Sequence, residues 1–450
     1  MTLALSNRQK SKAFSSRIHD LIPGGAHTYS KGDDQFPENA PAAIARGKGA
    51  HVWDVDGNEF LDCSMGLTSV SLGHAYEPVL SRVKAELDRG VNFQRPSVLE
   101  LEMAERFVAL VPGHDMIKFA KNGSTATTAA VKLARAMTGR ALVAFPGNHP
   151  FYSYDDWFIG RTACSKGIPE DVTRLSVTFN ACDLASLRAL FDAHPGQIAC
   201  VITEPEKSTC DASCACGGDP GTFLRAAIDL AHAHGALFIL DEMVTGFKTA
   251  WPGSIVKHGI RPDMATWGKG IANGFAFCAL TGTREVMELG GIRRKGQEKV
   301  FLISTTHGAE THAMAAALAT IDEFEGHDVV AHNHAIGRQL AQESARAVRA
   351  RGLESLVDVI PCEWMPTFIF RDRSGQPSAG LRTLFMQEMI GRGVLFQGIV
   401  SPCYSHSLED VARFAEACAA SLEVYRRGVD DGFAKYLVGE PTKPVFRKIL

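Results

Sequence analysis

Short apolar runs alternate with amphipathic stretches through the first two thirds of the chain. "RALVAFPG" (140–147), "QIACVITEP" (197–205) and "GALFILDE" (235–242) hold consecutive apolar residues, with glycine, proline or charge at their edges. Runs of this length without polar alternation predict strands covered on both faces, the signature of a parallel sheet. Between them, "TATTAAVKLARAMTGR" (125–140) sets Ala129, Val131, Leu133 and Met137 near one side, which predicts a helix. "GTFLRAAIDLAHAHG" (221–235) does the same with Leu224, Ile228 and Leu230, and it ends on a glycine that can close a helix. This order is that of an α/β fold.

Beyond residue 320 the texture changes to "PTFIFRD", a helix-like "GLRTLFMQEMIGRG", then "VLFQGIV" and a final amphipathic "LEDVARFAEACAASLEVYRR". That alternation predicts a second, smaller α/β layer, with a boundary near 320. No repeat, low-complexity tract or long Pro/Gly/Ser linker separates the two parts.

Composition narrows the function. A chain of 450 residues, 45% hydrophobic and 22% charged, can bury one large core and one smaller core. A net charge of -3 gives no electrostatic reason to expect nucleic acid or an anionic membrane as partner. The opening "MTLALSNRQKSKAFSSRIHDL" lacks the apolar core of a signal peptide, and no run reaches the ~18 apolar residues of a membrane span, so a cytoplasmic protein is expected. Eleven cysteines scattered from Cys63 to Cys418 suit reduced thiols better than a disulfide framework. Cys210, Cys214 and Cys216 crowd into "STCDASCACGGD", yet no fourth ligand is obvious and one pair is separated by a single residue. The spacing therefore favours free loop thiols, and no metal is expected.

Three polar features at the ends of predicted elements carry chemistry. "KFAKNGSTATTAAVKLAR" places Asn122, Gly123, Ser124 and Thr125 at a helix start, where backbone N–H groups and the helix dipole can hold a phosphate. "ALFILDEMVTGF" ends a buried strand on Asp241 and Glu242, where open α/β sheets bind ligands; a buried carboxylate there needs a cation such as a protonated pyridine nitrogen. "RPDMATWGKGIANGF" puts Lys269 between Gly268 and Gly270, a thin backbone that would let a planar cofactor approach an amine whose free base is the nucleophile. Taken singly, each has an ordinary reading as a cap, a turn or a surface lysine. Together and in this order they are what pyridoxal 5′-phosphate requires.

The sequence also resembles the fold-type I, class III aminotransferases, and within them the glutamate-1-semialdehyde 2,1-aminomutase branch. The resemblance runs through "LIPGGAHTYSK", "ARGKGAHVWDVDGNEFLDCSMGLTSVSLGHAYEPV", "NGSTATTAAVKLAR", "VITEPE", "GALFILDEMVTGFK", "RPDMATWGKGIANGF", "HGAETHAMAAALATI" and "SHSLEDV". It implies a fold-type I architecture with a large, mostly parallel-sheet cofactor domain over 71–320, a small C-terminal α/β domain over 321–450, and an N-terminal segment, 1–70, packing with the small domain. It implies Lys269 as the internal aldimine lysine and proton shuttle, with Asp241 as partner of the pyridine nitrogen. Gly123 and Ser124 are implied as phosphate contacts, Met243 as support for one ring face, and Glu204 as a carboxylate close to the cofactor. Thr306 is implied as a further phosphate contact from a neighbouring subunit, in a homodimer with its sites at the interface.

Departures from the family pattern concern the substrate side. A glutamate common in the phosphate loop is replaced by Thr125, and the aminomutase arginine that grips a substrate carboxylate is replaced by Lys31, a point charge without the planar fork. Leu67 stands where those enzymes set an aromatic, and Asn148 where a tyrosine usually stacks on the ring, so that His149 or Phe151 would cover it instead. Lys31, Tyr29, Tyr152, His27 and His149 are the candidates for a rebuilt pocket. The expected function is transfer of an amino group from an amino acid donor to a polar or hydroxylated carbonyl acceptor. The alternatives are the aminomutase or another isomerase of the same cofactor, and a non-catalytic binding protein on the same fold. A dehydrogenase is disfavoured because no G-x-G-x-x-G turn follows a first strand.

Overall fold

The computed structural model describes residues 8–148 and 151–449. Along the chain the strands are β1 Ile44–Lys48, β2 His51–Asp54, β3 Glu59–Asp62, β4 Met116–Ala120, β5 Leu142–Pro146, β6 Ser176–Phe179 and β7 Ile198–Thr203. They continue as β8 Leu237–Glu242, β9 Met264–Trp267, β10 Cys278–Gly282, β11 Val357–Ile360, β12 Thr367–Phe370 and β13 Val394–Leu395. Contacts divide the chain into two compact units, one of residues 1–76 with 331–447 and one of residues 77–330 with 448–450.

The unit of residues 77–330 is built on a sheet of order β4-β10-β9-β8-β7-β5-β6 among the described residues. From β9 through β6 every pairing is parallel. The three apolar runs read from the sequence become β5, β7 and β8, and β7 is buried at every position. Only β10 breaks the direction, pairing antiparallel with both β9 and β4. The cause is the connection: about ten residues join β9 to β10, fewer than the dozen or so a parallel crossover needs. Behind the sheet, Trp267 is fully buried with its ring edge-on to Phe107, centroids 5.4 Å apart.

Two helices of this unit match the amphipathic segments. Gly123–Thr138 starts after Asn122, whose extended backbone and side-chain oxygen cap the Thr125 N–H at 2.9 Å. It ends at Gly139, left-handed at φ +66°, whose N–H returns to the Arg135 carbonyl. Pro220–Ala233 is capped by Asp219 and carries proline in its first turn, where a missing N–H is harmless.

The other unit combines β1, β2, β3 and β13 in one sheet, while β11 and β12 form an antiparallel pair. β13 is only two residues long and pairs in parallel with β3. Its core gathers Phe368, Phe385, Phe396 and Phe414 beneath the helices Ala379–Gly391 and Leu408–Asp431. Among the described residues no helix is long and apolar enough to cross a membrane.

Candidate active site

The carboxyl end of β8 delivers Asp241, 1% exposed. Strand alternation sends Asp241 and Glu242 to opposite faces, and the two carboxylates then meet different chemistry. Glu242 accepts from the Ile255 N–H at 3.0 Å and from the Thr245 hydroxyl, so it ties down the turn that follows β8. Asp241 Oδ1 accepts from the Met243 N–H at 3.0 Å and from the Thr266 hydroxyl at 2.9 Å. Burial first, and the charge of Glu204 second, push its carboxyl up from 3.8 to about 7. Two neutral donors soften that penalty without cancelling it. A cationic partner at this carboxylate would cancel it.

Lys269 opens a short turn after β9 at φ +49°, a left-handed conformation unusual for a long side chain and of a kind that concentrates at functional sites. The residue is partly buried, and desolvation of its amine lowers the pKa from the usual 10.5. The negative charges of Glu204, Asp241 and Cys278 oppose that shift. Lys269 and Asp241 therefore share one electrostatic environment, each acting on the other and both acted on by Glu204.

The flanking glycine has a different cause from the one the sequence suggests. A Cβ on Gly268 would lie 2.5 Å from Met243 Sδ and 2.6 Å from Cys278 Sγ. Its φ of -179° is open to any residue, so close packing by two sulfur atoms is what requires glycine there. Gly123 meets the same methionine, with a Cβ falling 2.9 Å from Met243 Sδ. Met243, 7% exposed, thus packs at once against the start of the 123–138 helix and against the lysine turn. The three motifs read separately from the sequence converge on one side chain.

At the helix start, Ser124 is buried and its hydroxyl accepts from the Tyr154 N–H at 2.9 Å. The groups this end offers an anion are the first backbone N–H groups, which have no partner within a helix. Thr125 bonds back to Asn122 Oδ1 through both its N–H and its hydroxyl.

Tyr152 is 2% exposed, packed against Phe145 and Phe158, and its phenol oxygen receives the Glu204 N–H at 3.3 Å. Burial, together with the charges of Glu204 and Asp241, raises its phenol well above 10. Asn148 turns its side-chain oxygen to the Ala181 N–H and its carbonyl to the Lys207 ammonium. His149 lies outside the described residues, and Phe151 is 47% exposed. Thr306 is exposed on a loop, with its carbonyl bonded to Asn92, and it lines a cavity of about 520 Å³ together with Val91, Phe93 and Thr305. Neither Asp241 nor Lys269 lines that cavity. Tyr29, Lys31 and His27 are exposed residues of the other unit.

Two participants are not singled out by any sequence motif. Thr266, fully buried on β9, is the hydroxyl donor to Asp241. Lys248 is buried, and desolvation, followed by the charge of Lys269, lowers its amine to about 7. The "GFK" after "DEMVT" could have marked Lys248 for its apolar context; Thr266 depends on register between distant strands.

A buried carboxylate calling for a cation, an amine of lowered basicity and an anion-ready helix start fit a phosphorylated, cationic heteroaromatic aldehyde. Comparisons with known proteins agree. The family described as Aminotransferase class-III matches residues 33–353. The glutamate-1-semialdehyde 2,1-aminomutase of Thermus thermophilus is 30% identical, over 92% of this chain and all of the relative. The 3-aminobutyryl-CoA aminotransferase of Cloacimonas acidaminovorans is 29% identical, over 92% and 96%. Among solved structures, the PLP internal aldimine form of the Sphingopyxis sp. MTA144 FumI protein superposes with a TM-score of 0.85 at 25% identity, covering 97% of this chain and 99% of that one.

Proposed function

The chain belongs to the class III aminotransferase family, whose cofactor is pyridoxal 5′-phosphate, and from that premise we propose that it moves an amino group from an amino acid donor to a polar carbonyl acceptor, with Lys269 and Asp241 as its catalytic residues. The observation that carries this reading is the pairing of a carboxylate raised to about 7 with an amine lowered by burial, each within the other's field. When bound, the cofactor supplies an electron-withdrawing ring that stabilises negative charge on the substrate α-carbon.

The protein residues then have distinct tasks. Asp241 would hold the proton on the ring nitrogen, and the Thr266 hydroxyl and the Met243 N–H fix which way that carboxylate faces. Lys269 would hold the cofactor covalently and, when freed by an amino donor, would move the proton at the substrate α-carbon; desolvation lowers its pKa and so favours the free base that both tasks need. Met243 would support a ring face, the N–H groups of Gly123 and Ser124 would take phosphate, and Glu204 sets the field on both Asp241 and Lys269. Tyr152 is better suited to fixing the strand end that carries Glu204 than to meeting substrate. Lys31 and Tyr29, both exposed, are the candidates for substrate contact.

We read the active form as a homodimer in which Thr306 of one copy reaches the phosphate of the other. Its exposure, and its place on a cavity without its own chain's Lys269 and Asp241, support that reading. Eleven cysteines without a disulfide support a reducing, cytoplasmic setting.

The test is a visible spectrum of the purified holoprotein against a panel of amino donors. Loss of the cofactor band with one donor and its return with one carbonyl compound would name both half-reactions. The aminomutase relative favours a second reading, intramolecular transfer, in which mass spectrometry finds a product isomeric with its substrate and no second amino acid is consumed.

A further inference from the structure

The loop after β7 is unusual for its length and content. Residues 204–219 form no helix or strand, and from Thr209 to Asp219 the chain reads "TCDASCACGGD", without one large apolar side chain to anchor it. Loops of this length usually hold themselves by function or by a staple. Here successive tight turns close it: Cys210 N–H to the Lys207 carbonyl, Cys214 N–H to Asp211, Gly217 N–H to Cys214 and Asp219 N–H to Cys216. Gly217 and Gly218 are both left-handed, and a Cβ on Gly218 would meet the Asp211 backbone at 3.1 Å.

The fourth thiol missing from the sequence comes from elsewhere in the chain. β5 lies between β7 and β6, all parallel, so the turn after β6 and the loop after β7 flank the same end of β5. That arrangement brings Cys182, about thirty residues upstream, to Cys210 and Cys216, with all three sulfur atoms within 4.8 Å of one another. Cys182 is held at φ +59°, a left-handed backbone that a non-glycine residue rarely adopts. Cys214 stands beside that trio and outside it: its sulfur accepts the Asp211 N–H at 3.4 Å and donates to the Thr209 carbonyl at 3.8 Å.

We propose that Cys182, Cys210 and Cys216, which already converge, bind a structural zinc ion, with Cys214 turning from the Thr209 carbonyl to supply the fourth thiolate. The Cys210–Cys216 sulfur separation of 3.4 Å is far longer than the ~2.05 Å of a disulfide and close to the ~3.8 Å edge of a tetrahedron with Zn–S bonds of about 2.3 Å. All four side chains are partly buried, which shields a bound ion yet leaves a path of entry. Binding breaks four S–H bonds and forms four Zn–S bonds, releasing four protons and leaving the cluster with two net negative charges. The ammonium of Lys207, within the field of Cys182, Cys210 and Cys214, offsets part of that charge.

With four protein ligands the ion has no open position, so its role is to join two loops. Both loops grip the turn after β5: the Ala181 N–H bonds Asn148 Oδ1 at 3.0 Å, and the Lys207 ammonium bonds the Asn148 carbonyl at 2.9 Å. The zinc site thereby braces the turn at Asn148.

The experiment is metal analysis of the full-length holoprotein, purified under reducing conditions without chelator. About one zinc per chain is expected, as for a closed structural site. Cys182→Ser and the double variant Cys210→Ser with Cys216→Ser should lose it, while Cys164→Ser, outside the cluster, should keep it. Cobalt(II) reconstitution should give the thiolate charge-transfer and tetrahedral ligand-field bands, absent in Cys182→Ser. Metal-free native protein whose cluster thiols react freely with a disulfide reagent would overturn the proposal. So would a Cys210–Cys216 disulfide found by mass spectrometry, or zinc retained in every cysteine variant.

Discussion

Thr266 and Asp241 face each other across the parallel pair β8 and β9, as register partners, and the threonine hydroxyl donates to the carboxylate at 2.9 Å. A buried carboxylate keeps its charge only as far as its donors allow, so this bond, beside the one from the Met243 N–H, decides how good an anion Asp241 can be. Thr266→Val keeps the shape and removes the donor. It should lower the unfolding free energy at pH 8 by about 1–3 kcal/mol and weaken cofactor retention, while Thr266→Ser should stay near wild type. Urea titration with a cofactor-release assay measures both. Equal behaviour of the valine and serine variants would remove Thr266 from the site.

Asp241 should also make stability depend on pH in the cofactor-stripped protein. Its carboxyl is raised from 3.8 to about 7, so between those values the folded state holds a proton that the unfolded state has lost. Stability then falls as pH rises through that window and is level above it. Asp241→Asn lacks this titration, while the nearby Glu242, raised likewise to about 7, titrates in both proteins and cancels. The stripped variant should therefore be more stable than stripped wild type by a margin that opens from pH 4 to pH 7, with a ceiling of about 4 kcal/mol. In the holoprotein the order should reverse, because the variant forfeits its cationic partner. A margin independent of pH would contradict the assignment.

Much of this site is legible in the sequence because its parts are local. The Asn122–Thr125 helix start, the strand ending on Asp241 and the turn holding Lys269 each occupy a few consecutive residues whose chemistry shows in the letters. Thr266 is invisible by that route, since its role depends on how β9 aligns with β8, and register between segments some twenty residues apart is set by packing. The purpose of Gly268 is misread for the same reason: the sequence suggests room for a ring, and only the fold brings Met243 and Cys278 against it. Cys182 is the clearest case. Nothing in the spacing of Cys210, Cys214 and Cys216 points to it, whereas the strand order β7-β5-β6 does.

Gly268 offers a clean test of the packing argument. An alanine there has no backbone strain to overcome, so its cost comes from the two sulfur atoms its methyl group would meet. Gly268→Ala should destabilise the protein by about 1–3 kcal/mol, the usual range for overpacking. Adding Met243→Ala opens space for the new methyl group, and the double variant should be less destabilised than the sum of the two single changes. Additive losses would mean that Met243 does not press on the lysine turn.

Glu204 is the residue through which Asp241 and Lys269 are tuned together. Its charge is the largest influence opposing the lowering of the Lys269 amine, and it is also a cause of the raised Asp241 carboxyl. Glu204→Gln removes both effects, so each pKa should move down. Recombination of stripped protein with pyridoxal 5′-phosphate needs Lys269 as the free base, and its rate climbs with pH until that amine is deprotonated. In Glu204→Gln the climb should therefore occur at lower pH than in wild type. Lys269→Ala should show no covalent recombination at any pH, which confirms that the limb belongs to this amine. A limb displaced to higher pH would mean that desolvation, relieved by the loss of the carboxylate, outweighs its direct field, and Glu204 would then act on the lysine by packing instead of charge.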